Sequence, residues 1–414
     1  MRLLHGPLTF AAIALAGSSC VGVRLPQPNL ASSPSDTSLP PTKQVATASA
    51  LPTSHPDGED STPPGAIATL LSSTLPVCRQ AATVGLDQLQ LAFNAEWDGD
   101  NEVYTVRADG SALTQLTENV TEDVNPVWSP DGEQIAFVAD IWNPRLYVAQ
   151  ADGSGGRIVR PDFEITSLQV GWSPRAGDVV FRNMVDLYMM NTTNGELTLL
   201  TGGAHIGPGI PTFSPDGAML AFAAGVPGRT DNGLFAVKAD GTGLTELAFL
   251  EGHTIGLTTW RPQSDQILFE ASAPSEGTRL YLATLDGSIT MLPIDTASSG
   301  SVGSSWSQDG SMLGYLTGTA RIDSQGTVIS RDSLHIATPD GEVDVAVILP
   351  PADPDADLSI SELVWAPDGR HIAYSINTKV EGVDLYVLDI CDGSSRLVVE
   401  AIDFYSTPSW RPLP

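Results

Sequence analysis

Six histidines, eight tryptophans and two acidic runs are the residues of this 414-residue chain whose types could carry chemistry. His5 and His55 fall in N-terminal stretches without apolar periodicity, and His335 and His371 sit inside alternating, strand-like stretches. That leaves His205 and His253, both in loop-like sequence. With nearby carboxylates, two such imidazoles can hold a divalent metal or move a proton, as a lyase or hydrolase requires, but no short ligand spacing joins them. Asp98-Gly99-Asp100-Asn101-Glu102 and Asp353-Pro354-Asp355-Ala356-Asp357 offer the alternating oxygens that Ca²⁺ takes. Neither has the glycine at position six or the glutamate at position twelve of an EF-hand loop, so solvated acidic loops are expected. No Gly-x-Ser-x-Gly elbow, phosphate-cradling loop or zinc-binding cysteine cluster occurs. No cofactor is therefore expected, with Ca²⁺ or another divalent ion as the alternative.

The tryptophans point past chemistry to architecture. Six of the eight close a repeated turn: Trp128-Ser129-Pro130-Asp131-Gly132, Trp172-Ser173-Pro174, Trp260-Arg261-Pro262, Trp306-Ser307-Gln308-Asp309-Gly310, Trp365-Ala366-Pro367-Asp368-Gly369 and Trp410-Arg411-Pro412. Phe213-Ser214-Pro215-Asp216-Gly217 fills the gap in the series. Successive aromatics lie 44, 41, 47, 46, 59 and 45 residues apart. Serine, proline and glycine at these places suit a type I turn.

Three more features keep the same beat. An aliphatic-x-aromatic strand recurs from Leu91/Phe93 to Ile372/Tyr374, and an aliphatic–aromatic pair from Val103-Tyr104 to Leu385-Tyr386. A hairpin dipeptide, Asp-Gly or Asn-Gly, recurs from Asp109-Gly110 to Asp392-Gly393, where positive φ is needed. A period near 40–45 residues is that of four-stranded propeller blades. With the strands lettered A (ending in the aromatic) to D, the chain starts on a B-C-D set and finishes on a lone A strand around Trp410. Joining the two completes one blade and removes an open sheet edge. An all-β, seven-bladed propeller over residues 86–414 follows, with no further domain expected after it.

In such a ring the A–B and C–D turns share one face and are short and uniform. The B–C and D–A loops share the other and vary, and variable loops on a regular scaffold carry function. Trp97 and Trp142, the two tryptophans that the repeat does not require, both fall in B–C loops beside Glu96, Asp140 and Arg145. Two readings stay open: a binding anchor shared by neighbouring blades, or two local covers over blade ends. His205 and His253 fall in D–A loops of the same rim.

Ahead of the repeats, Arg2, the short apolar run Leu8 to Ala16 and small residues before Cys20 read as an export signal, 1–20. Gly17-Ser18-Ser19-Cys20 resembles a bacterial lipobox, which implies lipidation of Cys20. Residues 21–85, rich in Pro, Ser and Thr, read as a disordered tether. Cys78 and Cys391 remain as an even pair. Export permits a disulfide between them across the ring closure, against two unpaired thiols. Twenty basic against 49 acidic residues give a net charge of −29, which excludes nucleic acid as a partner and leaves the membrane only through a lipid anchor.

The W-S-P-D-G turn with its I-A-F-like strand and L-Y-V…A-D-G hairpin resembles TolB-type propeller repeats, relatives of the WD class. That resemblance implies the fold over about four-fifths of the chain. It departs before the propeller, where the family carries a folded α/β domain and this chain has the tether. The reading is a monomeric, non-enzymatic lipoprotein of the bacterial cell envelope, periplasmic or on the surface, that binds a protein or glycan through its B–C/D–A rim. The alternative is a propeller-type lyase or hydrolase using His205, His253 and rim carboxylates.

Overall fold

The computed structural model describes Leu75, Cys78 and residues 84–413, apart from 98, 160–164, 166, 176, 184, 203–206, 227, 295, 297–302, 323–327, 348, 350–358, 378–382 and 404–405. The signal, Cys20, most of the tether, His205, Asp98 and the 353–357 run lie outside the described residues. Seven four-stranded antiparallel sheets make up the ring. Blade 1 takes its inner strand, Ser409–Trp410, from the C-terminus and its other three from Gln90–Ala95, Glu102–Arg107 and Thr114–Gln115. Leu91 pairs with Trp410 and Ala92 with Ser409, so the expected closure is present.

The repeated residues explain why each blade forms. In every blade the aromatic of strand B stands directly opposite the aromatic of strand C, as in Phe93↔Tyr104 and Tyr374↔Tyr386. The paired rings stack at 5.7 and 5.5 Å between centroids in these two blades. His335 fills this slot in blade 6, 4.9 Å from Tyr315. Cross-strand aromatic pairs favour the pleated pairing.

Seven clusters of buried side chains hold the blades to one another, one at each junction. The tryptophans sit at these seams. Trp172 Nε1 donates to Val127 O of the preceding blade at 2.9 Å, Trp260 Nε1 to Thr212 O at 3.0 Å, and Trp410 Nε1 to Val364 O at 3.0 Å. The last of these seals the junction between blades 7 and 1.

On the A–B/C–D face the turns repeat one hydrogen-bond pattern. Ser129 Oγ donates to Asp131 Oδ1 at 2.6 Å and accepts from Gln134 N at 2.9 Å, and Gly132 N closes the turn on Ser129 O. Gly132 adopts φ +68°, which its missing Cβ allows. Ser214/Asp216 and Ser307/Asp309 repeat the pattern. Cys391, in the C–D turn of blade 7, is disulfide-bonded to Cys78, their Cα atoms 5.3 Å apart. Leu75 is fully buried beside them, among Met312, Ile390 and Cys391 of blades 6 and 7.

Candidate functional site

The B–C/D–A rim carries the irregular chemistry. Trp97 is about two-fifths exposed, and its contacts run to its own blade and to blade 7. Its ring lies 4.5 Å from Tyr104 and 6.0 Å from Phe93, and its Nε1 donates to Ala401 O at 2.9 Å. Trp142 stands on blade 2 and is 87% exposed. It follows Asp140, whose φ of +59° starts a tight turn, and Trp142 N donates to Asp140 Oδ1 at 3.2 Å. No described contact joins the two tryptophans. Trp97 is a fixed cover over the seam of blades 7 and 1, with one face open to solvent. Trp142 stands out from the rim with no described ring contact.

Between blades 1 and 2 the rim opens into a groove of about 660 Å³, lined by Thr117, Asn119, Val120, Asp123, Asp140 and Arg145 among others. Arg145, from the start of a C strand, points its guanidinium back to Pro144 O at 3.4 Å. Val120 is 92% exposed at the groove's edge. Behind the groove lie two buried carboxylates. Glu102 accepts Asn119 N at 2.7 Å and the Thr117 hydroxyl. Asp123 Oδ2 accepts Asn119 Nδ2 at 2.8 Å, while Asp123 Oδ1 is buried with no hydrogen-bond donor. Burial, reinforced by the charges of Glu102 and Asp100, pushes the Asp123 carboxyl up to about 7.

His253 approaches Glu251 O through Nδ1 at 2.9 Å, and its Nε2 lies 4.0 Å from Glu276 Oε2. This joins a D–A loop to a B–C loop, as the assignment of faces requires. Among the described residues no group of three or more histidines, cysteines and acids is arranged to hold a metal.

Sequence reasoning missed an amide network at the mouth of the central channel. Asn94 Nδ2 donates to Asn101 Oδ1 at 2.9 Å, Asn94 Oδ1 accepts Asn125 N at 3.1 Å, and Asn125 Nδ2 donates to Leu168 O at 2.9 Å. Asn94 N also donates to Ser406 Oγ at 2.9 Å. Four connected segments are thereby tied around one opening. Asn125, at φ +54° and followed by Pro126, carried a local turn signal that the strand pattern around it masked. Beneath it the channel encloses about 740 Å³ and is walled by Pro126, Val127, Val170, Ile210 and Val364. Glu362, on the inner strand of blade 7, is pushed up to about 7 by burial.

The TolB beta propeller domain family matches residues 73–262 of the chain. Over those residues the propeller is of the TolB type. A TolB homolog of Chlorobium chlorochromatii is 28% identical over 138 residues, 33% of this chain and 31% of that protein. The Tol-Pal system protein TolB of Desulfosudis oleivorans is 26% identical over 124 residues, 29% of this chain and 28% of that protein. The chain thus spans about a third of the length of these curated relatives. Among solved structures, an oligogalacturonate lyase in complex with manganese superposes with a TM-score of 0.54 at 17% identity, covering 72% of this chain and 85% of the lyase. At that identity the likeness is one of fold alone.

Proposed function

We propose that this TolB-type propeller is an exported protein of the bacterial cell envelope, lipid-anchored through Cys20, that binds a protein partner through its B–C/D–A rim. The observation that carries the reading is the asymmetry of the two faces. The N-terminal segment joins the ring on the A–B/C–D face, where Leu75 is buried and Cys78 bonds to Cys391. A tether leaving from that face turns the opposite rim away from the anchor. That rim holds the groove, the exposed Trp142 and Val120, and the open face of Trp97. A large aromatic over a polar-walled cleft is the usual make-up of a protein-binding anchor. The relative named for the Tol-Pal system supports an envelope setting. The net charge of −29 favours neutral or basic partner surfaces.

Two measurements test this. Intact mass and detergent partitioning of the native protein against Cys20→Ser decide the anchor; equal solubility of both forms would remove it. Affinity capture from envelope extract, with wild type and Trp142→Ala as baits, decides the rim. A partner retained equally by both baits would place binding elsewhere.

A further inference from the structure

Blade 6 departs from the pattern of the other six. Its B and C strands, Leu313–Ile322 and Val328–Ala337, are ten residues each, whereas the corresponding strands elsewhere have six or seven. Among the described residues, the inner strand, Ser304–Trp306, pairs with Leu313–Tyr315, and the outer strand, Asp344–Val347, with Leu334–Ala337. Six further register pairs, from Thr317↔Ser333 to Ile322↔Val328, therefore continue as a two-stranded ribbon. At about 3.3 Å per residue the ribbon runs on for about 20 Å beyond the inner strand at the B–C/D–A rim.

The direction of its backbone groups follows from one bond. Leu316 N donates outward to Gly303 O at 2.9 Å, away from the C strand. Strand groups alternate in direction, so Gly318, Ala320 and Ile322 also point their N–H and C=O outward, while Thr317, Thr319 and Arg321 face the C strand. This outward edge continues the side on which the inner strand lies, toward the mouth of the channel. No described residue pairs with it.

We infer that the blade 6 ribbon is a docking edge for an extended segment of a partner polypeptide, added as a strand along Gly318–Ile322. An open row of alternating donors and acceptors is matched by another polypeptide backbone, not by a glycan. Two copies of a chain of net charge −29 repel each other, so a second copy is disfavoured and a neutral or basic segment fits. The inference rests on the reading of this rim as a protein-binding face, and it assigns the kind of contact made there.

The probe is a lysine-flanked decapeptide of alternating threonine and valine, and the readout is amide hydrogen exchange of the full chain. In the free protein, Gly318 and Ala320 should exchange fast and Thr319 slowly. Saturating peptide should slow Gly318, Ala320 and Ile322 by more than about tenfold. Ala320→Pro removes only an outward N–H, so the ribbon should persist while peptide affinity drops by more than about tenfold. Ala320→Val, which keeps the amide, should retain binding. Slow exchange of Gly318 and Ala320 without peptide would mean that the edge is already paired within the chain, and would overturn the proposal. Absence of peptide protection, or protection unchanged by Ala320→Pro, would overturn it too. In those cases the rim reading still stands if envelope capture depends on Trp142.

Discussion

The two faces of the ring use the same acidic side chains to opposite effect. On the A–B/C–D face, turn aspartates such as Asp131 and Asp216 accept from a serine hydroxyl and a backbone amide, which hold their carboxyls below the usual range. On the B–C/D–A rim and the strand ends that support it, burial pushes Asp123 and Glu362 up to about 7 and also raises Asp332. The first set stabilises the fold as anions. The second costs stability once ionised. One face is built by repetition, the other by exception.

The largest expected effect comes from reopening the ring. Deleting residues 404–414 removes the strand that pairs with Leu91 and Ala92 and the Trp410 indole bonded to Val364. That deletion exposes two apolar sheet edges and should lower stability by about 4 kcal/mol or more, measured by denaturant unfolding. Full-length stability in the truncated protein would show that the closure is ornamental. Next comes the contrast of core and rim tryptophans. Trp260→Ala should cost about 3–5 kcal/mol, because the ring fills the seam of blades 4 and 5. Trp142→Ala should change stability by less than about 0.5 kcal/mol. Acrylamide quenching separates the two sites independently, since only the exposed indole should be accessible.

A smaller effect tests the acid contrast through pH. Asp123 has a folded-state value raised from 3.8 to about 7. Its contribution is therefore most favourable below about 4 and is lost as pH rises toward 7. Asp123→Asn keeps an acceptor for Asn119 and cannot ionise. It should stabilise the protein by on the order of 2 kcal/mol at pH 8 and by little at pH 4. Thermal melts at the two pH values read the difference; equal shifts would mean that burial of the charge is not what matters. His371 provides the converse on the other face. Burial works against its charge, but the bonds to Asp368 and Asp389 outweigh it and raise the imidazole to about 9. That contribution is complete below about 6.5 and lost as pH rises through 9. His371→Phe should therefore flatten the fall in melting temperature between pH 7 and 10.

The fold was legible in the sequence because each repeated residue has a local job. Tryptophan plugs the seam, serine and aspartate close the turn, and the B and C aromatics stack across one register. The B–C/D–A rim was harder to read because its contacts join residues distant in sequence. Nothing around Trp97 reveals that its indole is held by Ala401, 304 residues away. Asp123 is the same letter as Asp131, and only the fold puts Glu102 and Asp100 beside it. Asn94 and Asn101 flank one B–C hairpin and Asn125 lies on the inner strand of blade 2, so the three meet only when blades 1 and 2 pack together. The blade 6 ribbon did leave a trace, in the 59-residue interval between Trp306 and Trp365. The interval alone did not divide the extra residues between a longer hairpin and a longer D–A loop; the strand register does.

A photo-crosslinking residue placed on each face in turn gives the most direct test of the division between them. In one variant it replaces Trp142 on the rim, and in the other it replaces Asp152, exposed in a C–D turn on the opposite face. Illumination in envelope extract should yield a discrete protein adduct from position 142 and none from position 152. Adducts from position 152 with none from position 142 would contradict the assignment of the B–C/D–A rim as the binding face.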